Sequence, residues 1–323
     1  MTAVRSAPPS VTGTGSAHGK LILLGEHTVV YGAPAIAFPI PGFRVDALAR
    51  LRQGVSNLDG PQAYRFSCGD PADDQAAESG PRVAVEEALR RWRCSGDVID
   101  VVVSCDIPPA RGLGSSAACA CAAVRSVAAL YGQQVDQQSL YDIVQCGEHY
   151  AHGRASGVDT SAALSAEPIW FQARRARPIV VGIDAAVVVA DTGIAAATKR
   201  AVVDVREKLH RDPVYAQRLL DRAAAITTAA AEDLALGRAT ALGRRLVEFQ
   251  VLLDELGVST PELDRLIGAA HDAGALGAKL TGGGGGGCVI ALTDNRCDPV
   301  SLSEHLIEAG AAETWIVPIR TSR

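Results

Sequence analysis

Apolar residues in the first half of the chain alternate between short β-branched runs and longer stretches with helical spacing. Residues 98–103 are mostly valine and isoleucine and lead into polar residues, which predicts a strand. Residues 117–130 are rich in alanine and carry larger apolar side chains at helical spacing, and Gly132 is a stop signal. Residues 137–152 show a second helical pattern. The chain therefore alternates strands with helices, which predicts a mixed α and β fold.

A short loop rich in glycine and serine joins this strand to the alanine-rich helix. It reads Pro-Pro-Ala-Arg-Gly-Leu-Gly-Ser-Ser-Ala-Ala, from Pro108 to Ala118. A helix N-terminus has unpaired backbone N–H groups and the positive end of the helix dipole, which together bind anions. Glycines let a polyphosphate approach the backbone, and the serines can cap the helix or reach a metal ion. Alone, the loop is equally consistent with a capped helix after a tight turn.

Three polar side chains lie among apolar residues near the start of the chain. Lys20 opens a short apolar strand over residues 20–24, and the turn Gly25-Glu26-His27 follows it. A glutamate and a histidine between buried strands are costly unless they bond a ligand or each other. The structural alternatives are an edge strand with a salt bridge and a satisfied core histidine at His27.

Two further loops contain many small residues. Residues 155–161 (Ala-Ser-Gly-Val-Asp-Thr-Ser) place the carboxylate of Asp159 beside a turn. Later in the chain, a turn is predicted over residues 277–281 and a buried strand over residues 288–292. The six glycines between them, Gly282 to Gly287, lose much conformational entropy when they are ordered, which a purely structural loop does not explain.

The composition becomes basic around residues 172–178, where we place a domain boundary. The predicted organisation is a disordered leader at residues 1–15, an N-terminal domain at 16–175 and a C-terminal domain at 176–323. The leader is rich in small and polar residues and lacks the apolar core of a signal peptide. In the C-terminal domain, Thr198 opens a predicted helix.

Composition and charge argue against several classes of partner. The chain has 323 residues, 48% of them apolar, and its net charge of −5 argues against nucleic acid and against an anionic membrane. It has no uninterrupted apolar run long enough to cross a bilayer. The eight cysteines form no CxxC pair, and we interpret them as reduced thiols of a cytoplasmic protein. Only four cations are lysines, so a lysine inside a glycine-rich motif suggests a need for a compact ammonium, although four can also fall by chance.

Four motifs, taken in order, resemble the GHMP kinase superfamily of galacto-, homoserine, mevalonate and phosphomevalonate kinases. They are the lysine-glutamate-histidine turn, the Gly-Leu-Gly-Ser-Ser-Ala-Ala loop, the Ser-Gly-Val-Asp loop and the C-terminal glycine run, between Gly19 and Leu292. The first and last motifs resemble those of the mevalonate kinases in particular. The loop is not a Walker A sequence, because no Gly-Lys-Ser/Thr ends it, and it differs from the glycine-rich loop of protein kinases.

The resemblance implies a nucleotide and metal site in the first half of the chain. Eight residues would wrap the phosphates of ATP: Pro109, Arg111, Gly112, Leu113, Gly114, Ser115, Ser116 and Ala117. The two residues that match the Mg²⁺ ligands of the family are Ser116 and Glu148. A zinc site formed by Glu148 with His149 and His152 is the weaker interpretation, because the spacing is not His-Glu-x-x-His.

The resemblance also assigns the reacting and substrate-binding groups. Asp159 matches the catalytic aspartate that takes or positions the hydroxyl proton of the acceptor, and Lys20 matches the lysine that favours the alkoxide and steadies the γ-phosphate. The positions that match substrate-binding residues are Glu26, His27 and Thr198. The part of the glycine run that would line the cleft comprises Gly282, Gly283, Gly284 and Gly285.

At the level of the whole chain, the resemblance implies an α+β fold of two domains. The N-terminal domain would be like the second domain of ribosomal protein S5, and the C-terminal domain would be ferredoxin-like. The implied reaction transfers a phosphoryl group from ATP to (R)-mevalonate with Mg²⁺ as cofactor, without nucleic acid or membrane as a partner. Relatives are often homodimers, and prenyl diphosphates inhibit some of them at the ATP site, but the residues of this chain decide neither property.

Three departures from the family pattern leave the acceptor open. Ala155 stands where proline is common, Gly283 where alanine is common, and Thr28 where alanine is usual. Galactokinase is disfavoured because its sugar-binding run is absent, and homoserine kinase because its first motif would lack Gly-Glu-His. Phosphomevalonate kinase would need extra basic groups for a second phosphate. A protein of a different class, an inactive sensor that binds nucleotide or isoprenoid, is disfavoured because Lys20 and Asp159 are intact.

Overall fold

The computed structural model describes residues 11–51, 64–68, 79–94, 98–153 and 155–322, with only the backbone described at 64–68. By contacts the chain divides into two compact units. Unit 1 comprises Met1–Gly19, Pro41–Pro108 and Gly114–Leu164, and unit 2 comprises Lys20–Ile40, Pro109–Leu113 and Ser165–Arg323. The units interleave along the chain, so they are not the two consecutive segments that we predict as domains, and that domain boundary stays a prediction.

Unit 1 combines antiparallel and parallel strand pairs with four helices. The strands that contribute to it are β1 (Thr12–Leu24), β2 (Ala35–Leu51), β3 (Tyr64–Cys68) and β4 (Ile99–Cys105). In this unit β2 runs antiparallel to β4, from Val45 opposite Cys105 to Leu51 opposite Ile99, and β4 runs parallel to β3. The helices are α1 (Gly80–Trp92), α2 (Ser115–Leu130), α3 (Gln137–His152) and α4 (Val158–Leu164).

The alanine-rich helix α2 is the central buried element of unit 1. Twelve of its residues are buried, including Cys119 and Cys121, because small side chains let neighbouring elements approach it on several sides. Along β2, by contrast, buried Val45, Ala47 and Ala49 alternate with exposed residues. This alternation is typical of a sheet with one face toward solvent.

Unit 2 contains a four-stranded antiparallel sheet with the strand order β10-β7-β9-β8. These strands are β7 (Ala185–Asp191), β8 (Gly277–Thr281), β9 (Cys288–Thr293) and β10 (Glu313–Ile319). Its helices are α5 (Thr198–Arg211), α6 (Pro213–Ala235), α7 (Ala239–Leu256), α8 (Pro261–Asp272) and α9 (Pro299–Glu308). Helices come between β7 and β8 and again between β9 and β10, which is the split βαβ arrangement of the ferredoxin-like fold. The predicted C-terminal fold is therefore confirmed.

A second strand group of unit 2 is formed by the first half of β2. Here Ala35 lies opposite Phe171 of β5 (Ile169–Gln172), and β5 pairs in turn with β6 (Arg175–Pro178). Residues 179–184 belong to neither strand, because β6 ends at Pro178 and β7 begins only at Ala185.

Two local predictions differ from the structure. Residues 277–281 are not a turn but the buried strand β8, because they pair with β9 across the glycine run. The loop predicted at 155–161 becomes helical at Val158, where Ser161 N donates to Gly157 O over 3.0 Å. Residues 1–10 of the predicted leader lie outside the described residues.

The end of the predicted leader, residues 12–15, forms the start of β1. The strand is fixed there because Arg125 Nη1 of α2 donates to Ser16 O over 2.6 Å. Among the helices in the described part of the chain, we find none with the length and apolar character needed to cross a membrane.

Candidate active site

In unit 1, the N-terminus of α2 brings together the two predicted metal ligands. Ser116 lies in the first turn of α2, and its Oγ donates to Glu148 Oε1 of α3 over 2.6 Å. Glu148 is only 3% exposed, so its carboxylate is held inside the unit rather than on a solvated helix face. A hydroxyl and a carboxylate are both hard oxygen donors, the class that Mg²⁺ prefers, so this pair fits the predicted ion.

The histidines of α3 do not complete a zinc site with Glu148. His149 Nδ1 lies 2.6 Å from Gln145 O of its own helix, and His152 Nε2 lies 3.8 Å from Glu148 Oε2. The described residues include no group of three or more His, Cys, Asp or Glu side chains that could hold a metal ion.

Asp159 is the second residue of α4, also in unit 1, and is half-buried. The adjacent Thr160 is fully buried, and its Oγ1 accepts a hydrogen bond of 2.6 Å from Gln145 Nε2 of α3. This bond fixes the first turn of α4 against α3, the helix that carries Glu148. The backbone that carries Asp159 is therefore rigid, as a positioned acid–base group requires.

In unit 2, Lys20 contacts the segment that carries the first half of the predicted phosphate loop. Its Nζ donates to Gly112 O over 3.0 Å, and its backbone N donates to Leu113 O over 3.0 Å. Lys20 is only 1% exposed. A buried ammonium needs polar partners, and the carbonyl of Gly112 supplies one of them.

Arg111, predicted to bind phosphate, is held by a side chain that the sequence did not indicate. Its Nε lies 2.6 Å from Asp191 Oδ2 at the end of β7, and its Nη2 donates to Gly193 O over 3.1 Å. Nearby, Ala196 N donates to Ala110 O over 2.8 Å. These bonds fix the segment Pro109–Leu113 in unit 2, and the predicted phosphate contact of Arg111 stays a prediction.

Glu26 forms an ion pair with Lys279 of β8, and both side chains are completely buried. Burial raises the pKa of Glu26 and lowers that of Lys279, and in each case the opposite charge counteracts the effect. Lys279 Nζ also lies 5.8 Å from the centre of the Phe249 ring. The carboxylate of Glu26 is therefore bound to Lys279 inside the unit. Its contact with substrate stays a prediction.

Lys279 is thus a residue that the sequence analysis did not assign. The sequence offered one indication of its importance: Lys279 lies shortly before the glycine run, in a chain that has few lysines. Asp191 had no comparable signal, because an aspartate at the end of a strand is common at a turn.

His27 is bound to the glycine run. Its Nε2 lies 3.0 Å from Gly283 O, and since a carbonyl only accepts, Nε2 carries the proton. The ring is 8% exposed, and burial lowers the pKa of His27 to about 4, so the imidazole is neutral at pH 7. Its backbone has φ 59° and ψ −48°, a conformation at positive φ that is unfavourable for a residue with a side chain.

Thr198, the third predicted substrate residue, begins α5 and lies against the same glycine. A Cβ added at Gly283 would come within 2.6 Å of Thr198 Oγ1. This close approach explains why the chain has glycine where the family commonly has alanine. His27 and Thr198 therefore both contact Gly283, which brings two of the three predicted substrate residues together.

Comparison with known proteins identifies the family. The model of the GHMP kinases N terminal domain matches residues 81–167, and that of the GHMP kinases C terminal domain matches residues 230–312. A mevalonate kinase of Aeropyrum pernix is 35% identical over 288 residues, which cover 86% of this chain and 87% of that protein. A mevalonate kinase of Pyrococcus horikoshii is 32% identical over 301 residues, which cover 87% and 88%.

A solved structure agrees with this result. The crystal structure of L. major mevalonate kinase in complex with R-mevalonate superimposes with a TM-score of 0.81 at 26% sequence identity, and the match covers 98% of this chain and 99% of that one. Both family models, the curated relatives and the superposition point to one fold and one enzyme class. The chain belongs to the GHMP kinase family and is a kinase.

Proposed function

We propose that this kinase transfers the γ-phosphoryl group of ATP to (R)-mevalonate, giving ADP and 5-phosphomevalonate. The observation that carries the proposal is the similarity to mevalonate kinases at 35% and 32% identity over more than four fifths of the chain. The similarity to a structure that contains R-mevalonate supports the same acceptor.

Ser116 and Glu148 would hold the Mg²⁺ that accompanies ATP. A bound Mg²⁺ neutralises charge on the β- and γ-phosphates, which lowers the electrostatic cost of phosphoryl transfer. The 2.6 Å contact between Ser116 Oγ and Glu148 Oε1 supports this assignment, because the two oxygens already lie side by side. The predicted phosphate-binding residues between Pro109 and Ala117 would contact the phosphates, and Ser115, Ser116 and Ala117 would do so through backbone N–H groups at the N-terminus of α2.

Asp159 and Lys20 would act on the acceptor hydroxyl. The Asp159 carboxylate would accept or orient the hydroxyl proton, and the Lys20 ammonium would favour the developing alkoxide and the charge on the transferred group. The backbone segments that carry both residues are fixed, by the Gln145–Thr160 bond near Asp159 and by the Lys20–Gly112 bond. The transfer would be direct and in line, with no covalent enzyme intermediate.

The acceptor and the base can be tested in one experiment. ADP release is measured with Mg·ATP and, separately, (R)-mevalonate, 5-phosphomevalonate, galactose and homoserine, for the wild type, Asp159→Asn and a control, Asp272→Asn, at an exposed helix end. We expect turnover with mevalonate alone, a loss of at least about 10²-fold in kcat for Asp159→Asn, and no change for the control.

Each other outcome contradicts a specific part of the proposal. Turnover with a different acceptor would keep the kinase assignment and contradict the roles of Glu26, His27 and Thr198. Nucleotide binding without turnover of any acceptor would favour a sensor. Homodimer formation, inhibition by prenyl diphosphates and a cytoplasmic location stay predictions from the family resemblance and from composition.

A further inference from the structure

Two neighbouring residues of one turn are each bound to the C-terminal glycine motif of unit 2. Glu26 pairs with Lys279, 253 residues later in the chain, and His27 bonds to Gly283, 256 residues later. Lys279 and Gly283 are separated by only three residues. The Gly-Glu-His turn is therefore held at two adjacent points by one short segment.

Lys279 is a fixed point for this contact. Its strand pairs with β9, where Lys279 lies opposite Ile290, and the next residue is tied to α7 because Leu280 N donates to Gln250 Oε1 over 3.0 Å. The Lys279 ammonium is completely buried, so it cannot turn to solvent. The Glu26 carboxylate depends on this ammonium. Among the described residues, Glu26 Oε1 accepts a hydrogen bond from Lys279 Nζ, and Glu26 Oε2 has no hydrogen-bond partner.

The residue next to Glu26 is strained. His27 has φ 59°, and such a conformation at a residue other than glycine is unfavourable and persists only where the surroundings hold it. The contacts that hold it here include the ion pair of Glu26 on one side, the bond from Nε2 to Gly283 O on the other, and the bond from Val30 N to His27 O within the turn. Strained backbone of this kind occurs preferentially at functional sites.

We propose that Lys279 is a positioning residue for the acceptor site: by holding Glu26, it keeps His27 at its positive φ with the ring bonded to Gly283. The inference rests on the proposed function, in which His27 and Thr198 bind the acceptor. It assigns to Lys279 a role through other residues, without contact with the substrate.

Removing one charge and removing both have different consequences. Lys279→Met leaves the Glu26 carboxylate buried without its cation, which destabilises the fold strongly. Glu26→Gln combined with Lys279→Met removes both charges, so most of the stability returns. The connection between the turn and β8 is absent in both variants. Stability and positioning can therefore be separated.

The experiment compares the wild type with Lys279→Met, with the double variant Glu26→Gln/Lys279→Met and with a control, Arg245→Met. The control removes one of the two arginine partners of another buried carboxylate of unit 2, Asp233: Arg245 Nε lies 3.3 Å from Asp233 Oδ2, and Arg238 Nη1 lies 3.8 Å from Asp233 Oδ1. For each protein we would measure the melting temperature, the KM for mevalonate and for ATP, and the NMR signal of the His27 Nε2–H group.

We expect a lower melting temperature for Lys279→Met and recovery of most of it in the double variant. In both, the KM for mevalonate rises about tenfold or more while the KM for ATP stays within about twofold, and the hydrogen-bonded His27 signal shifts or disappears. The Arg245→Met control loses stability but keeps both KM values and the His27 signal.

A folded double variant with the wild-type KM for mevalonate and the wild-type His27 signal would overturn the proposal. If Lys279→Met does not fold, the His27 signal of the double variant decides, because Glu26 is itself a predicted substrate-binding residue and its loss would raise the KM for mevalonate directly. If the wild type does not phosphorylate mevalonate, the proposed function fails instead, and the His27 signal still shows whether Lys279 positions the ring.

Discussion

Burial acts in opposite directions on the two polar residues of the Gly-Glu-His turn. It raises the pKa of Glu26, where Lys279 counteracts the effect, and it lowers that of His27 to about 4. His27 is therefore a neutral imidazole at pH 7, and its one N–H is already bonded to Gly283 O. The other ring nitrogen, Nδ1, is suited to accepting a hydrogen bond from a hydroxyl group and unsuited to pairing with an anion. From the sequence, both residues are predicted to lie at a polar site. Their charge states depend on burial and on Lys279, which the sequence pattern does not show.

The lowered pKa of His27 makes stability depend on pH. The unfolded chain binds a proton at His27 from about pH 6.5 downward, whereas the folded chain binds it only near pH 4, so unfolding becomes more favourable as pH falls through this window. The full difference corresponds to about 3 kcal/mol. We expect melting temperatures measured between pH 7 and pH 4 to fall less in His27→Asn than in the wild type.

Asparagine suits this test because it is polar, has no titrating group, and occurs at positive φ several-fold more often than most other residues do. The matched control is His210→Asn at an exposed position of α5, which should keep the pH dependence of the wild type. Equal pH dependence in His27→Asn and the wild type would show that His27 is not buried in its neutral form.

At the scale of elements, the helices were predicted more accurately than the segments between them. The bounds of α3 agree with the prediction, and its start is fixed locally, because Asp136 caps the helix by accepting from Ser139 N over 2.9 Å. Strand β8 was predicted as a turn, because its sequence, Gly-Ala-Lys-Leu-Thr, has weak β propensity. Its strand conformation comes from pairing with β9, which no pattern within five residues can indicate.

The contact between α1 and α3 predicts the effect of one substitution. A Cβ added at Gly147 of α3 would lie 2.1 Å from Gly80 O of α1, a distance that the backbone can relieve only by moving a helix. We expect Gly147→Ala to destabilise the protein by about 2 kcal/mol despite the better helix propensity of alanine. Thermal denaturation would measure this as a lower melting temperature.

The control for this helix contact is Tyr150→Ala, one turn further along α3, where the side chain is 54% exposed. It should change stability by no more than about 0.5 kcal/mol. A Gly147→Ala protein as stable as the wild type would mean that the two helices lie further apart. Gly147 directly precedes Glu148, the predicted Mg²⁺ ligand. We therefore expect Gly147→Ala also to reduce the increase in melting temperature that Mg²⁺ produces with ATP.

At the scale of the whole molecule, single strands supply residues to both units. Strand β2 pairs with β5 through Ala35–Ala37 and with β4 through Val45–Leu51, so neither unit is one continuous stretch of chain. The predicted phosphate loop is divided in the same way, with Leu113 in unit 2 and Gly114 in unit 1. The motifs can therefore be identified along the linear sequence, whereas the division into two units cannot.

Ligand binding provides a prediction for the whole molecule. A ligand that binds only the folded state stabilises it by mass action, by about 2.7 kcal/mol at 100 times its dissociation constant. We expect Mg·ATP to raise the melting temperature and EDTA to remove most of this increase. Glu148→Gln should lose the Mg²⁺-dependent part, because it removes the negative charge next to Ser116.

The matched control, Glu232→Gln at an exposed position of α6, should respond to Mg·ATP as the wild type does. An undiminished Mg²⁺-dependent increase in Glu148→Gln would contradict the metal assignment and leave the family unaffected.

By itself the sequence determined the family, the positions of its motifs and helices such as α2 and α3, because periodicity, caps and glycine-rich loops are local and can be read within a few turns of chain. Only the tertiary structure decided the partners: Lys279 for Glu26, Asp191 for Arg111, and Gly283 for both His27 and Thr198. The physical reason is that these contacts join residues about 80 to 250 positions apart, and such pairs form only when the folded chain buries them together and excludes water.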